Sequence, residues 1–134
     1  MKVAAMRLIT QKLDITNNNL PAGQFKLHPQ LTRKIGRIND TTYFVDLGVT
    51  IRNSPDMPFP TDIEAVLRGI FEFAEFVDDT EPQQFMKCEA VDALYPYLRA
   101  MVSSLACAAM VPPIIMPLIK ARDMFPEDGH ELYS

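Results

Sequence analysis

The chain has 134 residues, with 13 Lys and Arg against 17 Asp and Glu, so its formal net charge is −4. A nucleic-acid interface needs a clustered basic face, and this acidic balance argues against that class of function. The hydrophobic share of 48% is ordinary for a folded protein and argues against disorder. A chain of this length can bury a sizeable core, so we expect one domain over residues 1–134.

The cysteine content and the length of the apolar runs indicate the cellular location of the protein. Cys88 and Cys107 are too few to cross-link a secreted fold, and no stretch typical of a signal peptide precedes Met6. We therefore expect a cytoplasmic protein. The longest apolar run, residues 105–119, is interrupted by prolines and is shorter than the roughly 20 residues that span a bilayer, so we expect no membrane insertion.

Alternating apolar and polar residues predict strands in the first half of the chain. These strands are expected at residues 6–15, 31–38 and 43–51. The last is the clearest, because its odd-numbered residues from Tyr43 to Ile51 are all apolar and share one face. Turn-forming residues separate the strands at 17–23, 39–40 and 53–60.

Residues 61–76 fit two patterns. Their apolar residues alternate as in a strand, but a subset also fits helical spacing, and Thr61 followed by Glu64 imitates a helix capping box. Gly69 and the aromatic residues after it favour the strand. The helix remains the alternative on pattern alone.

The second half of the chain has helical periodicity. Residues 81–94 are compatible with a helix, and Pro96 is suited to be the first residue of a longer helix that runs to about Ala109. Tyr97, Met101 and Leu105 share a face of that helix, which is typical of packing in an oligomer interface. Prolines then keep the chain extended, and residues 120–125 are expected to form a last short helix. The sum is an α+β fold, a four-stranded antiparallel sheet followed by helices packed to one side.

No residue pattern predicts an enzyme or a cofactor. The histidines and cysteines stand singly, without metal-ligand spacing, and no glycine-rich phosphate loop is present. We therefore expect no metal, no cofactor and no catalytic residues, with a site assembled only in space as the alternative. What remains is an unusual set of apolar residues in loops, which either cover the sheet or offer a groove to a partner. They include Phe25, Leu27, Met57, Phe59, Val111, Ile114, Ile115 and Met116.

Two short motifs resemble the SecB protein-export chaperones. Gly69, Ile70 and Phe71, preceded by Glu64, resemble the fourth strand of that family. Residues 94–99, Leu-Tyr-Pro-Tyr-Leu-Arg, resemble the Leu-aromatic-Pro-Tyr-x-Arg motif at the head of its long helix. The order of elements agrees from Arg7 to about Phe125.

The resemblance implies a SecB-like fold, a strand over residues 62–76 and a homotetramer built as a dimer of dimers. It implies an ATP-independent holdase that binds unfolded preproteins or other non-native polypeptides in an apolar groove. The client-binding residues that it implies are Leu20, Phe25, Leu27, Val111, Ile114, Ile115 and Met116. It also implies docking to the SecA motor through acidic residues of the sheet, here Asp14 and Glu64.

The chain also departs from the family pattern. Asn17, Asn18 and Asn19 stand where a further acidic residue is expected, and few residues follow Phe125. The departures fit equally a SecB-like chaperone dedicated to one partner, such as an antitoxin. A structural or assembly protein that uses the same fold for one fixed partner is the other alternative.

Overall fold

The computed structural model describes residues 1–21 and 23–126 of the chain. These residues form four strands, followed by three helices. The strands are β1 (Lys2–Asn17), β2 (Gln30–Arg37), β3 (Thr42–Ile51) and β4 (Thr61–Ala74), and the helices are α1 (Thr80–Lys87), α2 (Glu89–Ala108) and α3 (Ala121–Met124). The strands pair in the order β1-β4-β3-β2, with every pair antiparallel. The predicted fold class is therefore confirmed.

The sheet has one buried face, which side-chain alternation creates. The odd-numbered residues of β3 and β4 point to this face, and Val45, Leu47 and Ile63 are fully buried there. Even-numbered residues such as Asp46 and Glu64 lie on the opposite, outer face. The ambiguous segment is thus a strand, because period-two burial over 61–74 places its apolar residues in the core.

The long helix begins earlier than the sequence predicts. Pro96 is not the first residue of α2 but lies inside it, since the helix begins at Glu89. A proline inside a helix removes one backbone hydrogen bond and costs about 3 kcal/mol. Leu94 and Leu98, on either side of it, are fully buried, and burial of such side chains contributes about 1.5–3 kcal/mol each, which offsets that cost.

Gly69 allows α2 to approach the sheet. A Cβ atom at this position would lie 2.6 Å from Cδ1 of Leu94, so only glycine leaves room for the leucine. Leu94 itself has no exposed surface. The Gly-Ile-Phe motif therefore has a packing reason, which is the close contact of helix and strand.

After α2 the chain turns at Met110, whose φ is 60°, and continues without regular structure through residues 111–119. We call these residues the proline segment. It ends at α3, which confirms the short helix predicted at 120–125. No helix among residues 1–21 and 23–126 is long and apolar enough to cross a membrane.

Candidate functional site

An apolar groove lies between the loop that joins β1 to β2 and the proline segment. We call the loop, residues 18–21 and 23–29, the crossover loop. The groove encloses about 530 Å³. Its lining comprises Asn17, Leu20, Pro21, Gly23, Phe25, Leu27, Phe59, Pro60, Thr61, Met110, Val111, Pro112, Pro113, Ile114 and Ile115. Two loops that are far apart in sequence therefore form opposite walls of one groove.

The structure brings together all but one of the residues predicted to bind clients. Leu20, Phe25, Leu27, Val111, Ile114 and Ile115 line the groove. Met116 does not line it, because this side chain is only 1% exposed and belongs to the core. Side chains of the proline segment thus alternate between the core and the surface, and Ile115, which is 74% exposed, is the surface residue between Ile114 and Met116.

The floor of the groove comes from the end of the loop between β3 and β4. Phe59 is 9% exposed and meets Phe25 edge to face, with 6.5 Å between ring centroids. Thr61 is also buried there, and its hydroxyl has no hydrogen-bond partner among the described residues. The sequence singled out Phe59 as an apolar loop residue but did not place it opposite Phe25, since that contact is tertiary.

A cluster of polar side chains fixes the crossover loop to the floor. Asn18 Nδ2 donates to the Phe59 carbonyl at 3.2 Å and to Oδ1 of Asp62 at 3.0 Å. The Asn53 backbone N–H donates to the same Asp62 oxygen at 2.8 Å. Both bonds lower the pKa of Asp62, and the bond from Asn53 has the larger effect. We call Asn18, Asn53 and Asp62 the loop clamp, because they join the ends of both loops.

Side chains of α2 fix the opposite wall. Three of them donate hydrogen bonds to main-chain carbonyls of the proline segment: Ser103 Oγ to Ile114 (3.0 Å), Arg99 Nε to Met116 (3.0 Å) and Tyr95 Oη to Pro117 (2.5 Å). Burial raises the pKa of Tyr95, and Arg99 partly opposes this effect. The helical periodicity of the sequence gave no signal for these bonds. They hold an extended segment that has no regular secondary structure.

A second apolar surface runs along α2 and β1. The residues predicted to form the oligomer interface, Tyr97, Met101 and Leu105, lie there in an open depression of about 550 Å³ together with Leu8 and Leu13. Tyr97 is 51% exposed and Leu13 is 47% exposed. Residues on the other side of α2, such as Leu98, pack into the core instead. The two faces of α2 are thus both apolar, and only one is covered in the single chain.

The acidic residues predicted to dock a partner are neighbours on the outer face of the sheet. Asp14 of β1 is paired directly with Glu64 of β4. Glu64 forms ion pairs with Lys12 at 3.0 Å and with Arg52 at 2.9 Å, and the hydrogen bond from Lys12 is the main reason why the pKa of Glu64 is lowered. Its charge is therefore largely compensated by its own neighbours.

The described residues contain no group of three or more His, Cys, Asp or Glu that could hold a metal ion. Of the cysteines, Cys107 is exposed, and Cys88 is buried. Burial raises the pKa of the Cys88 thiol, so it is predominantly protonated and a poor nucleophile.

The sheet, its helical cover and the groove define an α+β protein with the fold that the sequence resemblance implies. The chain belongs to the SecB family: the family model described as preprotein translocase subunit SecB matches residues 11–131. It is similar to the protein-export protein SecB of Saccharophagus degradans, with 27% identity over 106 residues, which are 77% of this chain and 61% of the relative. An uncharacterized protein of Methanocaldococcus jannaschii is 34% identical over 65 residues, 48% of this chain and 41% of the relative. The chain thus spans less than two thirds of the length of these curated relatives.

The fold is also similar to a solved structure. The Mycobacterium tuberculosis SecB-like chaperone Rv1957, in complex with a ChAD peptide from the HigA1 antitoxin, matches with a TM-score of 0.74 and 13% identity. The match covers 88% of this chain and 91% of that chain. At this identity the similarity establishes the fold.

Proposed function

We propose that this protein is an ATP-independent holdase that binds unfolded polypeptides in the apolar groove. The observation that carries the proposal is that the crossover loop and the proline segment line one groove of about 530 Å³. An unfolded chain exposes apolar side chains, and each large one that the groove removes from water contributes about 1.5–3 kcal/mol. Holding a client in this way needs no chemistry and no nucleotide, so the proposal includes no enzymatic activity.

The proposed context is protein export in the cytoplasm, with the chain assembled as a homotetramer and SecA as a possible partner. Membership of the SecB family supports the export role, and the open apolar depression at Met101 and Leu105 supports self-association. Several grooves on one oligomer would raise the avidity for long clients without any new contact.

A chaperone dedicated to one partner, such as an antitoxin, is the second candidate. The ion pairs of Glu64 with Lys12 and Arg52 favour it, because a compensated carboxylate attracts a basic docking surface less strongly than a free one. The structural neighbour from Mycobacterium tuberculosis holds an antitoxin peptide, which is a precedent for such a partner on this fold.

The first test is suppression of aggregation of two unrelated, chemically unfolded proteins, followed by light scattering without nucleotide. A general holdase protects both at a near-stoichiometric ratio. A chaperone dedicated to one partner protects neither, and its partner is then identified by pull-down. The oligomer mass is measured on the same sample.

A second test distinguishes side chains that line the groove from other exposed apolar side chains. Ile115→Asp places a carboxylate on the groove lining, and we expect it to weaken client binding about tenfold, equivalent to about 1.4 kcal/mol. Leu118→Asp is the matched control, because Leu118 belongs to the same segment and is 82% exposed but does not line the groove. Equal effects of the two substitutions would contradict the proposed binding site. Phe25→Asp is expected to act like Ile115→Asp, and unfolding of either variant would mean that the residue is part of the core.

A further inference from the structure

The proline segment is held by α2 along one edge only. The main-chain carbonyls of Ile114 and Met116 each accept a hydrogen bond from an α2 side chain at 3.0 Å. The side chains of these two residues are buried, whereas Ile115 between them is exposed. The carbonyl direction and the burial therefore both repeat at every second residue, as they do in a single β-strand.

The main-chain groups of Ile115 point away from α2. In an extended chain the N–H and C=O of one residue face one side, and those of the next residue face the opposite side. Within residues 1–21 and 23–126, the Ile115 N–H has no hydrogen-bond acceptor and the Ile115 carbonyl has no donor. The side opposite α2 is the side of the apolar groove, because the lining of the groove includes Ile115 but none of the described residues of α2. Ile115 therefore offers the groove one main-chain donor and one main-chain acceptor.

Prolines keep this free edge short. Pro113 and Pro117 lie two residues to either side of Ile115, and proline has no N–H to donate. A long free edge pairs with further copies of a chain and leads to aggregation, and proline is one of the residues that prevent this. The edge at Ile115 is thus suited to pairing over one residue and not to a continuous ladder.

We propose that the main chain of Ile115 pairs with the main chain of an extended client, which lies as an added strand beside the proline segment. The inference rests on the proposed function. The client residue opposite Ile115 donates its N–H to the Ile115 carbonyl and accepts the Ile115 N–H, which is the two-bond exchange of an antiparallel strand pair.

This pairing defines the kind of client that the groove accepts. Every residue except proline carries both main-chain groups, so the pair of bonds does not depend on the client sequence. In a folded protein these groups are already paired with one another. The Ile115 main chain therefore favours extended, non-native segments over folded ones, while the apolar lining supplies the affinity for their side chains.

Two variants at one position separate the main chain of Ile115 from its side chain. Ile115→Pro removes the N–H and keeps an apolar side chain, whereas Ile115→Val keeps both. Binding of a fluorescent, neutral peptide with an apolar core is followed by anisotropy. We expect Ile115→Pro to bind it about fivefold more weakly than Ile115→Val, equivalent to about 1 kcal/mol, which is typical of one neutral hydrogen bond.

Leu118→Pro is the matched control for the effect of a new proline. Leu118 belongs to the same segment and is exposed, but it does not line the groove, so we expect the affinity of this variant to stay within about twofold of the wild type. Urea unfolding of all three variants confirms that each is folded.

Amide hydrogen exchange of the wild type tests the same bond without a substitution, and it decides the question if Ile115→Pro does not fold. Saturating peptide should slow the exchange of the Ile115 amide by about tenfold and leave that of Leu118 unchanged. Equal affinities of Ile115→Pro and Ile115→Val, an equal loss in Leu118→Pro, or an unprotected Ile115 amide in the complex would overturn this inference alone. If the wild type does not bind the peptide, the proposed function fails, and the inference fails with it.

Discussion

Removal of the Asp62 carboxylate is the sharpest test of how the groove is held open. In Asp62→Ala, the Asn53 N–H and the Asn18 amide lose the acceptor that they reach at 2.8 and 3.0 Å. A hydrogen bond to a charged group contributes about 1.5–3 kcal/mol, but both donors here are close enough to the surface to gain water in exchange. We therefore expect the free energy of unfolding to fall by about 2 kcal/mol for the pair, which lowers the Tm by about 7 °C for a domain of this size.

The assay combines urea unfolding, followed by circular dichroism, with client affinity measured on the same preparation. Asp56→Ala is the matched control, because Asp56 is exposed in the loop between β3 and β4 and is not part of the loop clamp. We expect this control to change the free energy of unfolding by less than about 0.5 kcal/mol. Client affinity should fall in Asp62→Ala alone, because Asn18 then loses its bond to Asp62 and the crossover loop is held less firmly to the floor of the groove. Indistinguishable unfolding curves for the two variants would refute the loop clamp.

The same carboxylate gives a pH dependence with a defined sign. Hydrogen bonds from Asn53 and Asn18 lower the pKa of Asp62 in the folded state. A group of this kind stabilises the fold fully above its unfolded pKa, about 4, and the contribution is lost as the pH falls toward the lowered folded value. The stability difference between wild type and Asp62→Asn should therefore be largest near neutral pH and should narrow below about pH 4. A stability difference that stays constant across this range would mean that the charge of Asp62 does not stabilise the fold.

Four further substitutions test the packing, the two walls of the groove and the assembly. Gly69→Ala places a Cβ 2.6 Å from Cδ1 of Leu94, so we expect the free energy of unfolding to fall by about 1–3 kcal/mol. The double variant with Leu94→Val should lose less stability than the sum of the two single variants, and strict additivity would contradict the contact. Tyr95→Phe removes the bond to the proline segment, so we expect a loss of about 1 kcal/mol and faster amide exchange or proteolysis there, with unchanged protection as the opposing result. Thr61→Val replaces a buried hydroxyl that has no described partner; unfolding measurements should show equal or greater stability, and a clear loss would mean that the hydroxyl is paired in solution. Leu105→Asp should lower the oligomer mass in light scattering without unfolding the chain, and a tetramer that survives it would count against the helical interface.

The sheet could be predicted from sequence because its alternation is strict. The odd-numbered residues of β3 from Tyr43 to Ile51 are all apolar and all buried, whereas Phe44 lies on the other face and is only partly buried. The start of α2 could not be predicted in the same way. Pro96 has a strong local preference for the first turn of a helix, but the burial of Leu94 and Leu98 is a tertiary effect that extends the helix to Glu89.

The apolar residues of the candidate site could be predicted from the sequence, but its polar residues could not. An apolar residue in a loop, such as Ile115, is conspicuous because loops usually lack them. Asn18 and Asp62 carried no such signal, because asparagine and aspartate are ordinary in turns. They are 44 residues apart in the chain, and only the pairing of β1 with β4 brings them together.

The division between fixed backbone and adaptable side chains suits the proposed holdase. The loop clamp and the three α2 donors hold the main chain on both sides of the groove, so little further ordering is needed when a client binds. The lining side chains are constrained much less: Met110 is 92% exposed and Ile115 is 74% exposed. Flexible aliphatic and thioether side chains can repack around different client residues. Weakening the backbone anchors should therefore reduce the affinity for all clients alike, whereas exchanging Ile115 for Leu or Met should change the affinity for any one client only slightly.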